Sequence, residues 1–404
     1  MPGARGAEES SPGREPGGPG AVGEVARLGL KLGFTAFGGP AAHIAMLREE
    51  AVGRRRWLSD QYFLDLVGAT NLIPGPNSTE MVMHIGQLRA GWRGLIIAGG
   101  LFILPAAVIV LIFAWVYVRY GATPEVEWVL YGIKPVIIAV IARALWGLFR
   151  TAIKGPLLAI VGVGALALYL LGVNELVVLF GGALLVFVVE LVNRRRGGGT
   201  MVVLLPLLGL TVPAIPALAV QAAASSVSLV TLFLLFLKIG AVLYGGGYVL
   251  LAFLRNDFVV RYGWLTDQQL LDAVAVGQFT PGPLFTTATF VGYVVAGLPG
   301  AALATLGIFL PSFLFVALLH PLVPRLRRAR WTAALLDGVN VAALGLMAAV
   351  TWVLARDAII DWLTAALAVV AAVVLVRYKV NSAWLVLAGG VAGVAVWLVT
   401  RAAS

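Results

Sequence analysis

Charged residues set in apolar sequence beside backbone breaks are where this chain could do chemistry. Lys31 and Lys238 each lie in an apolar run that ends in a glycine pair, Gly38-Gly39 or Gly245-Gly246. Arg48 and Arg255 follow in amphipathic stretches, and Asp65 and Asp272 come after those. Each series closes on Pro-Gly-Pro, at Pro74-Gly75-Pro76 and Pro281-Gly282-Pro283. Proline cannot continue a helix and turns the preceding residue away from helical geometry. Each Pro-Gly-Pro is therefore expected to stop one helix and start another, the first at Asn77-Ser78-Thr79. The free N–H groups and positive dipole of a helix start favour an anion. Lys31, Lys238, Arg48 and Arg255 could add the charge that holds it. An acid at membrane depth is a functional candidate by default. Asp65 and Asp272, together with Glu80 just past the first break, are thus candidates for ion coupling or ion pairing.

Plainer readings stand beside these. Pro-Gly-Pro also suits a simple loop, and paired glycines suit close helix packing. Arg48 and Arg255 also fit anchors at the membrane surface or partners for Asp65 and Asp272. Glu80 has no counterpart in the second series, where Thr287 takes its place. His43 and His84 lack counterparts too, so no metal site or cofactor is expected.

The elements that carry these residues must lie in lipid. Of the 404 residues, 60% are hydrophobic and 12% charged, whereas a soluble domain carries about 25% charged residues. Mean hydropathy is +0.96. A crossing needs roughly 20 apolar residues, and the apolar stretches have room for about a dozen. The 48 glycines and 20 prolines suit a membrane bundle, where small residues allow close packing and breaks build sites. The net charge of +10 comes in clusters beside apolar segments, as the positive-inside bias predicts, and does not indicate nucleic acid. The chain has no cysteine, which excludes disulfides, thiolate metal sites and cysteine nucleophiles.

The two series are copies. Positions 31–76 align without a gap to 238–283, with 19 identities in 46 positions, including Trp57-Leu58 and Asp60-Gln61 against Trp264-Leu265 and Asp267-Gln268. One residue is then lost, and Gly86, Gly91, Gly94 and Pro105 meet Gly292, Gly297, Gly300 and Pro311. Residues 1–21 read as a disordered cytoplasmic tail, 22–193 as the first repeat, 194–226 as a linker with one transmembrane helix, and 227–404 as the second repeat. Loop charges change sign between copies. Glu125 and Glu127 oppose Arg325, Arg327, Arg328 and Arg330; Arg150 and Lys154 oppose Asp357 and Asp361, which lie beside Arg356; Asn174 and Glu175 oppose Arg377 and Lys379. By the positive-inside bias the repeats are inverted, with the N-terminus and Arg194–Arg196 cytoplasmic. Inverted repeats with broken helices recur in secondary transporters. The expected fold is an all-α polytopic membrane protein of two inverted repeats with broken or re-entrant helices. Segments 24–39 with 41–56, and 60–73 with 78–92, either cross fully or re-enter, and the charges at Arg54–Arg56 favour re-entry.

At these residues the sequence resembles the chromate ion transporter family. Phe37-Gly38-Gly39-Pro40, Trp57-Leu58-Ser59-Asp60-Gln61 and Pro74-Gly75-Pro76 carry the likeness. Their second copies match the long, two-domain members, apart from Tyr244 and Gly247 where Phe and Pro stand in the first. The resemblance implies export of chromate from the bacterial cytoplasm across the inner membrane, conferring resistance. Sulfate, a tetrahedral dianion of similar size, would compete. A small inorganic anion and membrane lipid are the expected partners, nucleic acid is not, and a homodimer is compatible. Rival readings are an anion channel, a carrier of another small anion, and a membrane enzyme. None of the motifs that would mark a membrane enzyme is present, and no catalytic residue is assigned.

Overall fold

The computed structural model describes residues 20–71, 73–121, 123–195, 227–244, 247–319, 330–378 and 380–403. The expected tail, the linker helix, Gly245 and Gly246, and the basic loop at Arg325–Arg328 lie outside the described residues. Every described element is a helix. The first repeat holds α1 (Ala21–Thr35), α2 (Gly39–Arg48, continued by a π turn at Glu49–Arg54), α3 (Asp60–Thr70), α4 (Asn77–Tyr120), α5 (Pro124–Ala152), α6 (Pro156–Leu170) and α7 (Glu175–Arg195). The second holds α8 (Leu229–Val242), α9 (Leu250–Leu254, continued by a π turn at Arg255–Arg261), α10 (Asp267–Phe279), α11 (Thr287–Leu319), α12 (Arg330–Ala358), α13 (Trp362–Tyr378) and α14 (Ser382–Ala403). Each helix of one repeat thus has a mate in the other, in the same order.

Helix starts follow the expected chemistry. The Ser59 hydroxyl accepts from the backbone N–H of Tyr62 at the start of α3. Thr266 and Gln269 form a capping box at the start of α10, which satisfies two amides that would otherwise be orphaned. In the loop before α13, the backbone N–H of Thr364 and the Tyr131 hydroxyl both donate to Asp361. These bonds hold its carboxyl below the ordinary carboxylate range.

Helix α4 spans 44 residues, but it is not one rod. Ala90 and Gly91 leave helical geometry, with Gly91 at φ +60°, and Ala296 and Gly297 do the same in α11. The chain doubles back there. A Cβ added to Gly86 would lie 2.4 Å from the Gly94 carbonyl oxygen, and the Gly292–Gly300 pair is equally close at 2.3 Å. In a straight helix eight residues advance about 12 Å, so only a fold at the kink brings these glycines together. The leg 77–89 and the 11-residue α3 are each about 20 Å long or less, too short for a hydrocarbon core of about 30 Å. These lengths fit the re-entrant reading, whereas 92–120 is long enough to cross.

Six described helices are long and apolar enough to span a membrane. Lipid-facing stripes mark two of them. Leu104, Val108 and Ile112 on α4 are exposed at helical spacing, as are their mates Leu310, Leu314 and Leu318 on α11. Glycine contacts join the remaining helices across the repeats. Gly132 of α5 packs on Gly389 of α14, and its mate Gly338 of α12 packs on Gly182 and Ala183 of α7. Contact of Gly393 with Trp128, and of Gly389 with Val136, runs α5 antiparallel to α14. Contacts of Gly182 with Ala342 and of Gly338 with Val186 likewise run α7 antiparallel to α12, so the two cross-repeat contacts are mates.

Candidate functional site

Four backbone breaks, two from each repeat, meet at one place. Proline has no N–H, so Gly75 supplies the single backbone donor of Pro74-Gly75-Pro76, and Gly282 that of Pro281-Gly282-Pro283. Gly75 donates to the Leu243 carbonyl at 2.8 Å, in the break after α8. Gly282 donates to the Ala36 carbonyl at 2.9 Å, in the break after α1. The two bonds are mates, since 36 and 75 become 243 and 282 at the repeat offset. Each Pro-Gly-Pro therefore docks on the glycine break of the opposite repeat. Gly75 has φ +134°, and a Cβ there would lie 2.3 Å from Glu80 Oε1 and 2.5 Å from Ser312 Oγ. Only glycine fits.

Beside this junction lies a cavity of about 920 Å³. Phe37, Gly38 and Pro40 line it from the first glycine break; Pro76, Asn77 and Ser78 line it from the adjoining helix start. Tyr244 and Pro283-Leu284-Phe285 contribute from the second repeat. Arg143 of α5 also faces the cavity and forms no ion pair among the described residues. His43 borders it, with Nδ1 3.3 Å from Ser78 Oγ. The far end is bounded by Lys154, which pairs with Asp337 at 2.7 Å, and by Asn381 and Ser382.

The expected cations sit elsewhere. Lys31 bonds Glu50 at 2.6 Å, and Arg54 and Arg55 join the same carboxylate at 3.2 Å each. Lys238 bonds Asp257, the mate of Glu50, at 2.5 Å and reaches Glu175 at 3.5 Å. Arg48 and Arg255 do not pair with Asp65 and Asp272, as one reading had it. They reach the first residue of the following helix instead: Arg48 bonds Asp60, and Arg255 bonds Asp267 through two nitrogens at 2.7 and 3.0 Å. The cause is register, because the first turn of each capped helix faces the π turn before it. Each pair ties an arm to the helix that follows. Gly39 opens α2 at φ +79°.

The carboxylates split in the same way. Asp65 is half-buried and accepts from Gln61 at 3.2 Å. Asp272 is buried, accepts from the Tyr117 hydroxyl at 2.9 Å and lies 3.3 Å from Lys134. Glu80 is fully buried in the first turn of α4. The Ser312 hydroxyl donates to its Oε1 at 3.2 Å, and its Oε2 has no partner. No described group of His, Asp or Glu has metal-binding geometry.

Arg143, which lines the cavity, and Lys134, which pairs with Asp272, are cations that the repeat comparison passes over, since Ala349 and Asn340 are their mates. Their signal was present: both are cations in the apolar run of α5, where a charge marks function by default.

These features define a class: a duplicated helical membrane protein whose broken helices interlock around a cavity of mixed polarity. The chain belongs to the chromate transporter family, which matches residues 23–187 and 230–394. It is 32% identical to a chromate transport protein of Cupriavidus metallidurans, over 89% of both chains. It is also 32% identical to one from Pseudomonas aeruginosa, over 92% of this chain and 90% of the other. A probable chromate transport protein of Synechococcus elongatus is 29% identical over 91% of this chain and 94% of its own. No solved structure matches.

Proposed function

We propose that this chain exports chromate by alternating access, with sulfate as a competing substrate, and sits in the inner membrane with its N-terminus in the cytoplasm. One observation carries the proposal: the large cavity joins the broken elements of both repeats to an arginine with no acidic partner among the described residues. A tetrahedral dianion seated there would meet the Arg143 guanidinium, the Asn77 and Ser78 side chains and the positive end of the 77–89 helix. Gly38, Pro76 and Pro283 shape that space, while Lys31, Lys238, Arg48 and Arg255 hold the arms rather than the anion. The relatives named above are chromate transport proteins, which supports chromate as cargo.

Orientation supports efflux. The cavity reaches Lys154 and Asn381–Ser382, in loops that the positive-inside bias assigns to the cytoplasm. This conformation therefore receives substrate from the cytoplasm. A dianion leaving the cell also moves down the electrical gradient, a gain of about 4.6 kcal/mol per 100 mV for two charges.

The test is uptake of labelled chromate and sulfate into everted vesicles, with and without an uncoupler. Chromate accumulation that sulfate competes against is expected. Arg143→Gln should raise the chromate KM at least about tenfold, equivalent to about 1.4 kcal/mol, at unchanged protein level. An unaltered KM, or no chromate signal at all, would sink this reading.

A further inference from the structure

We propose that Glu80 is a proton site, and that its proton crosses the membrane together with the anion rather than against it. The proposal rests on the transport reading above and supplies its coupling. It begins with burial. The Glu80 side chain is wholly removed from solvent, and no basic side chain pairs with it among the described residues. A lone carboxylate in such a place has neither water nor a cation to offset its charge. The neutral acid is the form that fits, one oxygen bonded to Ser312 and the other unpartnered.

Position gives this acid its role. Glu80 lies in the first turn of the helix whose opening residues, Pro76 to Ser78, line the cavity. An anion held by Asn77, Ser78 and Arg143 would stand within one helical turn of it. An ionised Glu80 would repel that anion and cancel the positive end of the helix, whereas a protonated one does neither. By linkage, anion and proton each stabilise the binding of the other. Mutual stabilisation loads both on the same side, which is co-transport. The other groups facing this turn are Ser312 and Gly75, which pack against the carboxyl, the Tyr244 hydroxyl, His84 one turn along, and His43, whose Nδ1 lies 3.3 Å from Ser78 Oγ.

The repeat fixes the stoichiometry. The mate of Glu80 is a threonine, so the duplicated protein has one such acid in place of two. Its single described hydrogen-bond partner, Ser312, belongs to the opposite repeat. Exchanging the proton with solvent therefore requires the α4 and α11 contact to open, the same event that would move the cavity from one face to the other. A chromate dianion accompanied by one proton carries a single net negative charge.

The experiment uses the purified full chain in proteoliposomes at alkaline pH, where chromate is the dianion. The potential is clamped by potassium and valinomycin, and internal pH is read by a trapped dye. Chromate flux should move protons in its own direction, with one net charge per chromate. Glu80→Gln keeps the shape and the neutral state. Whatever flux it retains should be free of protons, and the charge per chromate should double. Protons moving against chromate, or not moving at all in the wild type, would overturn the inference. So would a Glu80→Gln protein that still moves protons with chromate. Wild-type stoichiometry decides the matter even where the variant does not fold. Absence of both chromate and sulfate flux in the wild type would overturn the transport reading itself.

Discussion

The two repeats have the same elements and different surroundings. In the second, α10 packs against α5, α12 and α14, and Asp272 is buried on Lys134 and Tyr117. In the first, α3 packs chiefly on its own α4, and Asp65 is half-buried and accepts from Gln61. The ion pairs follow suit. Arg255 and Asp267 are about one-fifth exposed, whereas their mates Arg48 and Asp60 are each 56% exposed. The arms share 19 of their 46 aligned positions, these carboxylates and ion pairs among them, so the same residues meet different surroundings in the two repeats. The arm helix of the second repeat is seated among α5, α12 and α14, that of the first lies on its own α4, and Asn71, Ile73 and Pro76 beyond it line the cavity. Two inverted copies in unlike positions are what alternating access needs, since exchanging the positions moves the opening to the other face.

The sharpest way to break this comparison is a cross-link. At the repeat offset, the Asp272–Lys134 contact maps onto Asp65 and Asn340, and Asn340 lines the cavity. If the arms exchange, Asp65 must approach Asn340 as the cavity closes. The chain has no native cysteine, so Asp65→Cys with Asn340→Cys gives a clean reporter. A disulfide should form during turnover with chromate and abolish transport, and reduction should restore it. Its absence under every condition would count against the exchange.

Ion-pair variants measure the same asymmetry in stability. Lys238→Ala strands Asp257, 1% exposed, and Glu175, 0% exposed, without their cation. Removing one partner from a buried pair costs about 3–5 kcal/mol, and a matching fall in melting temperature in detergent is expected. Lys31→Ala leaves Glu50 with Arg54 and Arg55, so a loss under about 1 kcal/mol is expected. The arginines should repeat the pattern on a smaller scale: about 1.5–3 kcal/mol for Arg255→Ala, a charge-assisted bidentate pair, and about 0.5 kcal/mol or less for Arg48→Ala. Equal losses within either pair would mean that the two repeats are alike in solution.

How much of this was legible in the sequence depends on the range of each signal. Duplication, helix caps and Pro-Gly-Pro stops are local or periodic, and they stand in the structure where the residues placed them. The partners of Lys31 and Lys238 were not legible, because Glu50 and Asp257 lie 19 residues away across a break whose angle no local rule fixes. The cross-bonds Gly75–Leu243 and Gly282–Ala36 also depend on how the repeats dock. Arg143 was visible as a charge in an apolar run, yet comparison of the copies draws the eye to what they share. The asymmetry of the arms was least accessible, because it depends on how each arm docks against the opposite repeat.

The kinks offer the smallest expected difference between the repeats and a control on the whole comparison. Gly91 and Gly297 have φ near +60°, and neither would meet another atom within 4 Å of an added Cβ. Alanine there must take φ near +60° with ψ near −152°, a region essentially reserved to glycine, at about 1–3 kcal/mol. Both kinks have the same dihedrals within a few degrees, and both fold one glycine of a close pair onto the other. Gly91→Ala and Gly297→Ala should therefore lower the melting temperature equally, to within about 0.5 kcal/mol. Equal costs would place the kinks in the rigid frame that both positions share, leaving the arms to do the moving. A larger cost at one kink would show that the hairpins themselves differ between the two positions, and the moving boundary would then lie at 90–91 and 296–297 rather than at the Pro-Gly-Pro breaks.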